Sequence, residues 1–272
     1  RYTDITPGTE KRVVWAGERG ARTDCVVVYI HGFSATSEEL RPVPDRIAAA
    51  LGANLVFTRL TGHGRGSEAM AEATAEAWVQ DFAEAMAAAR QVGNKIIVIS
   101  NSTGGTIVAA TSQDAEVMAG CVGLIFVAPN FGINNPLAPL LSWPLARHWL
   151  PWIGGRRRSY AARNARHARF WTLEYPSIAV MPMVPLIARV HAMDHSQQRL
   201  PALFWYAQQD NIVLSRRTTQ IAAAWGGPTT TVHPVLAPGD DFENHVVAGD
   251  ILSPGQTDTT TSGMLDWIKG VI

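Results

Sequence analysis

The segment Ile96-Ile97-Val98-Ile99-Ser100-Asn101-Ser102-Thr103-Gly104-Gly105 constrains this chain more than any other stretch. Its four β-branched residues predict a short buried strand. Gly104 and Gly105 follow at once, and Thr106-Ile107-Val108-Ala109-Ala110 opens a run of helix character. A strand that turns this tightly into a helix pushes the hydroxyl of the apex residue, Ser102, out above the sheet edge. The neighbours must be small, because the two backbones nearly touch. Ser100 and Gly104 meet that demand. The usual arrangement is Gly-x-Ser-x-Gly, and here Ser100 stands in the place of the first glycine. Taken alone, the pentapeptide suits an ordinary loop as well as a nucleophile, so the rest of the chain must decide.

Strand patterns recur at 12–15, 25–30, 54–58, 122–128, 202–207 and 229–236. Helix patterns recur at 37–51, with Ser37 as N-cap and Gly52 as stop, and at 74–91, 215–225 and 257–269. A further helix runs from the Ser102 turn to about residue 112. This alternation predicts an α/β fold: a mostly parallel central sheet flanked by helices. Residues 130–200 interrupt it. They are rich in Pro, Trp and Arg, and are expected to form an inserted cap, with 1–129 and 201–272 as the core.

Composition narrows the function classes. The chain has 272 residues, 47% of them hydrophobic and 17% charged, enough for a sizeable core. Its formal net charge is zero, so no global field draws it to nucleic acid. The most apolar stretches, 130–146 and 175–188, are broken by prolines and do not read as membrane spans. The chain opens at Arg1 rather than Met, which suggests that a signal peptide, a lipid-anchor segment or other residues once preceded it. The expected location is therefore cytoplasmic or, if a signal was removed, exported. The glycine-rich loop Leu60-Thr61-Gly62-His63-Gly64-Arg65-Gly66 lacks the Gly-Lys-Ser/Thr of a phosphate loop and the third glycine of a dinucleotide turn. Cys25 and Cys121 lack metal-ligand spacing.

A serine hydroxyl becomes a nucleophile only when a base takes its proton and an acid holds that base in the right tautomer. On a sheet of this kind the chain order is serine, acid, histidine. Of the eight histidines, only His233 and His245 follow a suitable acid. His233 falls within the predicted strand 229–236, and His245 in the loop beyond it, so His245 is the candidate base. Asp210 lies just past the strand 202–207, where a carboxylate points into the crevice at the sheet's C-terminal edge. Asp240 and Asp241 read as a solvated loop pair, and Asp194 as the weakest candidate acid. The developing oxyanion needs two N–H donors, and the amides of Thr103 and Phe33 fit. His31 and His63 read as structural residues that tie loops together.

In order along the chain stand Tyr29-Ile30-His31-Gly32-Phe33, Thr61-Gly62-His63-Gly64, Ser100-Asn101-Ser102-Thr103-Gly104-Gly105, Gln209-Asp210-Asn211-Ile212-Val213 and Asn244-His245. With these motifs the chain resembles the α/β-hydrolase superfamily, in particular its carboxylesterase and monoacylglycerol-lipase type, over residues 25 to 265. The resemblance implies Ser102 as nucleophile, His245 as base, Asp210 as acid and the amides of Phe33 and Thr103 as oxyanion hole. It implies a small-molecule ester substrate and no metal or organic cofactor. The loop Ala237 to Asn244 is long and acidic for that family, which leaves room for another acid near the base. The implied strand order puts one strand between those of Cys25 and Cys121, so two free thiols are expected. The same scaffold serves thioesterases, amidases, C–C hydrolases and non-catalytic binding proteins.

Residues 130–200 carry nine Arg, no Lys, one Glu and one Asp, a net +7 in a chain of zero net charge. They also hold Trp143, Trp149, Trp152 and Trp171. Two readings stand. The segment is a small subdomain with a tryptophan core and solvated arginines, or it is a lid over Ser102 that binds an acyl or alkyl group. In the second case its basic residues face an anionic group or make weak contact with a membrane surface. Arg156-Arg157-Arg158 reads as an exposed loop end. Short- to medium-chain esters are the expected substrates; oligomeric state is left open.

Overall fold

The computed structural model describes residues 2–272, and Arg1 lies outside them. In chain order the elements are β1 (Arg12–Val14), β2 (Thr23–Ile30), α1 (Val43–Leu51), β3 (Asn54–Phe57), α2 (Ala75–Val92), β4 (Gly93–Asn101), α3 (Thr103–Thr111) and β5 (Cys121–Val127). There follow α4 (Ala146–Ile153), β6 (Arg157–Ser159), α5 (Ala165–Phe170), β7 (Glu174–Pro176) and α6 (Met183–Ala192). The chain closes with β8 (Ala202–Trp205), α7 (Ser215–Ala224), β9 (Thr229–Val232) and α8 (Thr257–Lys269).

The main sheet has the order β1-β3-β2-β4-β5-β8-β9 and is parallel except for β1, which pairs antiparallel with β3. Strand alternation divides the core in two. Val26, Val28 and Ile30 of β2 face the side covered by α2, α3, α6 and α7. Val27 and Tyr29 face the side covered by α1 and α8. With both faces covered, β4 is apolar from Ile96 to Ile99 and none of the four is exposed. β4 is central, so the turn at its end opens mid-edge.

Three predicted elements differ from the observed ones. The helix expected from residue 37 begins at Val43, and residues 37–42 form turns. Proline disfavours helical backbone in the residue before it but is tolerated in a first turn, and Pro42 and Pro44 bracket the observed start. Ser37 caps nothing; its hydroxyl faces Arg12 at 3.3 Å. β9 stops at Val232 rather than 236, just ahead of Pro234, which has no N–H for the ladder. Two of the three consecutive arginines, Arg157 and Arg158, stand in the short exposed strand β6, paired with β7. Gly52 does end α1, in the left-handed conformation at φ 58°.

Cys25 on β2 and Cys121 on β5 have β4 between them, and both are free and buried. The 130–200 segment does not stand apart from the sheet. Leu186 and Val190 of α6 share one core with Ile107 and Val108 of α3. Its earlier part, through α4, β6, α5 and β7, keeps Leu150 in that core and walls in the space above Ser102.

Candidate active site

Ser102 sits between β4 and α3 at φ 50°, ψ −116°. Such backbone costs an L-residue on the order of 1–3 kcal/mol and persists only where the surroundings over-determine it. Here they do. The Ser102 N–H donates to Val127 O at 2.9 Å, and its carbonyl accepts from Thr106 N at 3.2 Å and Asn130 N at 3.0 Å. A Cβ on Gly104 would lie 2.5 Å from Ile30 O and 2.7 Å from His31 O, so only glycine fits there. Ser100 is tolerated because its side chain meets a hydrogen-bond acceptor instead of a backbone wall: its hydroxyl donates to Ile125 O at 3.1 Å.

The structure brings the three predicted side chains together. His245 Nε2 lies 2.9 Å from Ser102 Oγ, and His245 Nδ1 lies 2.7 Å from Asp210 Oδ2. Asp210 Oδ1 accepts the N–H groups of Ile212 and Val213 at 2.8 and 2.9 Å, which aims Oδ2 at the imidazole. With a carboxylate at Nδ1, the neutral ring carries its proton there and offers a bare Nε2 to the serine. Burial lowers the basicity of His245. The nearby Asp210 carboxylate, with smaller help from Asp241 and Glu39, outweighs burial and leaves the pKa above its ordinary value.

The two amides chosen for the oxyanion flank the same spot. Thr103 is the first residue of α3, so its N–H is an orphan donor at the positive end of the helix. A Cβ on Gly32 would stand 3.1 Å from Ser102 Cβ, so the backbone leading into Phe33 lies against the serine. Among the described residues neither amide is engaged in a hydrogen bond.

His31 Nδ1 faces Gly32 O at 2.8 Å and its Nε2 accepts from Leu60 N at 3.1 Å, which ties two loops; burial pushes this imidazole down to about 4. His63 lies against it, ring centroids 5.0 Å apart. His233 stands just past β9 with Nδ1 3.1 Å from Tyr206 O, away from Ser102. Asp194 caps a short turn by accepting from Ser196 N. The solvated reading of the loop pair is corrected for Asp241, whereas Asp240 stays half-exposed. Asp241 is 3% exposed and accepts N–H groups from Glu243, His245 and Val246. Asp240 accepts from Ala237 N, Gly255 N and Gln256 Nε2. In so long a loop, carboxylates that accept backbone donors replace a regular ladder.

Sequence reasoning missed Glu39. Its carboxyl is buried beside Ser102, where Oε2 accepts from Gly32 N at 2.7 Å and Tyr29 Oη at 3.1 Å. Burial raises its pKa. No local signal marked it, because the run Ser37-Glu38-Glu39-Leu40 reads as a helix start.

Above Ser102 opens a cavity of about 780 Å³. Leu140, Leu141, Trp149, Leu150, Val180 and Met183 give it an apolar wall, and Tyr160, Arg163, Asp241 and Glu243 a polar one. Of the four tryptophans of the segment, Trp149 lines the cavity, Trp171 is buried at its edge, and Trp143 and Trp152 are exposed. A tryptophan core of the segment is thus not what forms. Among the described residues no helix is long and apolar enough to cross a membrane, and no group of three or more His, Cys, Asp or Glu could hold a metal ion.

Comparison with known proteins places the chain in a family. Residues 21–235 match the family model described as serine aminopeptidase, S33. A thermostable monoacylglycerol lipase from Bacillus sp. (strain H-257) is 31% identical over 189 residues, which span 69% of this chain and 71% of that protein. A solved structure from work on two metagenome-derived lipolytic enzymes superposes with a TM-score of 0.77 at 20% identity, covering 98% of this chain and 99% of that one. A soluble variant of monoglyceride lipase from Saccharomyces cerevisiae, in complex with a substrate analog, gives 0.71 at 13% identity, covering 99% and 97%.

Proposed function

The chain belongs to the serine aminopeptidase S33 family of α/β-hydrolase-fold enzymes, of the lipase and esterase type, and on that premise we propose that it is a serine carboxylic ester hydrolase acting through an acyl-enzyme on Ser102. The observation that carries the reading is the unbroken contact chain from Ser102 Oγ through His245 to Asp210 at the floor of a largely apolar cavity. His245 Nε2 takes the hydroxyl proton as Ser102 Oγ attacks the ester carbonyl. The amides of Phe33 and Thr103 hold the resulting oxyanion, and Asp210 stabilises the imidazolium. His245 then returns the proton to the leaving alcohol oxygen. Water, deprotonated by His245 in its turn, attacks the acyl-enzyme and releases the acid.

Residues 130–200 act as a cap whose apolar wall receives the acyl chain. The relative's action on monoacylglycerols supports small monoesters with short- to medium-chain acyl groups as substrates. The exposed Leu137, Trp143, Leu145, Trp152 and Ile153 suit weak contact of that cap with a lipid surface. A panel of p-nitrophenyl esters of increasing acyl length, with fluorophosphonate labelling, tests the reading. Turnover together with a label on Ser102 is expected. Labelling that persists in Ser102→Ala would overturn it.

A further inference from the structure

The loop that carries His245 is held from two sides. On its own side, Asp241 Oδ2 accepts the N–H groups of His245 at 3.1 Å and Val246 at 2.7 Å, while Oδ1 accepts from Glu243 at 3.1 Å. The Asp241 N–H donates to Ser253 Oγ at 3.0 Å, so the carboxylate is anchored at its own backbone too. On the other side, Arg163 donates to Asp241 Oδ1 and lies over the Phe242 ring, 3.8 Å from its centroid. The next residue, Asn164, caps α5 and sends its Nδ2 to Ile251 O at 2.8 Å.

The same stretch of chain grips the oxyanion loop. Tyr160 Oη lies 2.7 Å from Ser34 Oγ, and Thr172 N donates to Ser34 O at 2.7 Å. Residues 160–172 therefore form a strap across the site. Both ends hold the loop of Phe33, and the middle holds the loop of His245. Nothing in the 102–210–245 contact chain requires a charged residue on this strap. A lone buried carboxylate at position 241 would be costly, and Arg163 is the cation that meets it.

We propose that the Arg163–Asp241 ion pair is the positioning device for the base: Asp241 sets the backbone under His245, and Arg163 holds Asp241 from the strap, so that His245 is in register with Ser102 only while the strap is seated. Both are positioning residues and neither touches the reacting atoms. The proposal rests on Ser102 and His245 having the roles given above. A misplacement near 1 Å at the base costs about a hundredfold in rate, so a small slackening of this loop is visible.

The charge of the pair supplies a readout that packing alone does not move. Facing His245 are Asp210 from the loop after β8, Asp241 from its own loop and Glu39 from the loop after β2. Facing Asp241 are Arg163 and His167 from the strap and Glu243 from its own loop. Removing the Arg163 charge leaves the Asp241 anion uncompensated, which favours the imidazolium. Removing the Asp241 charge does the opposite.

The experiment measures the rate of fluorophosphonate labelling of Ser102 against pH, with kcat and KM for one neutral p-nitrophenyl ester. In Arg163→Met the labelling rate should fall about tenfold or more, kcat should fall with it, and the acid limb should move up by about half a pH unit. Arg163→Lys should recover part of both effects. Asp241→Asn should move the acid limb down. If that variant does not fold, the two Arg163 variants decide alone, since Arg163 is partly exposed. Arg169→Met removes a like charge from α5 without touching the cavity and should leave the limb in place. A rise in KM at constant kcat would make Arg163 a substrate contact and overturn the proposal, as would an unmoved acid limb or an equal shift in Arg169→Met. These outcomes are separate from failure of the Ser102 assignment, which would appear as labelling retained in Ser102→Ala.

Discussion

The sheet with its loops and the 130–200 segment solve different problems. In the sheet, residues are placed by backbone ladders, and β2, β4 and β5 bury almost every side chain. In the segment, secondary structure is short and held by scattered contacts. Six of the twelve large apolar side chains that stand exposed in the described chain lie there, although it is much the shorter region. Ladder-bound placement belongs to the region that carries Ser102, Asp210 and His245, and on the reading proposed above the apolar wall of the segment is what receives the acyl group. Outside the 160–172 strap, the two should respond to mutation differently: in rate for the sheet and its loops, in chain-length preference and charge response for the segment.

The largest break is expected in the sheet region. Ser102→Ala or His245→Ala should reduce ester hydrolysis by several orders of magnitude, on the order of 10³ to 10⁶, with the fold intact. His233→Ala should stay within about twofold of the parent. A dead His233 variant beside an active His245 variant would reverse the assignment.

A smaller test of the same region is the pH profile. The His245 pKa lies above its ordinary value, so the imidazole is protonated, and unable to act as base, up to a higher pH than a free histidine would be. Activity as kcat/KM should therefore rise with pH through an acid limb above about 6.5. Asp210→Asn removes the main opposing charge and should move that limb down in pH while cutting the rate. A limb that stays in place would mean that Asp210 does not bear on the base.

The segment should show itself through substrates. Specificity should climb from acetyl to butyryl or hexanoyl esters, by about tenfold at most for two added carbons, and then fall when the cavity is full. Trp149→Ala should carry the optimum to longer chains. A flat profile in both proteins would mean that the apolar wall does not receive the acyl group. The smallest effect concerns charge. Arg158 lines the cavity mouth and has no ion-pair partner among the described residues. Added salt should slow hydrolysis of an ester bearing a free carboxylate by about two- to fivefold, leave a neutral ester unchanged, and lose that distinction in Arg158→Gln. Equal salt response for the two esters would make this arginine solvated surface.

Much of this protein was legible from local pattern. The strand before Ser102, the glycines after it, the position of Asp210 after β8 and the loop placement of His245 each depend on residues adjacent in sequence. Periodicity and turn chemistry act at that range, so the sequence alone determines the parallel sheet and the order of its three candidate side chains. Where local rules met prolines, as at Pro42 and Pro234, the predicted ends of α1 and β9 moved. What only tertiary structure decided depends on partners far apart along the chain. Asp241 is buried and structural because Arg163, 78 residues away, meets it. Glu39 matters because folding brings Gly32 and Tyr29 onto one carboxylate. The tryptophans of the segment divide between cavity wall and solvent, which their spacing in sequence does not show. Burial and charge pairing act through space, and a strand or helix pattern carries no record of which distant residue will supply them.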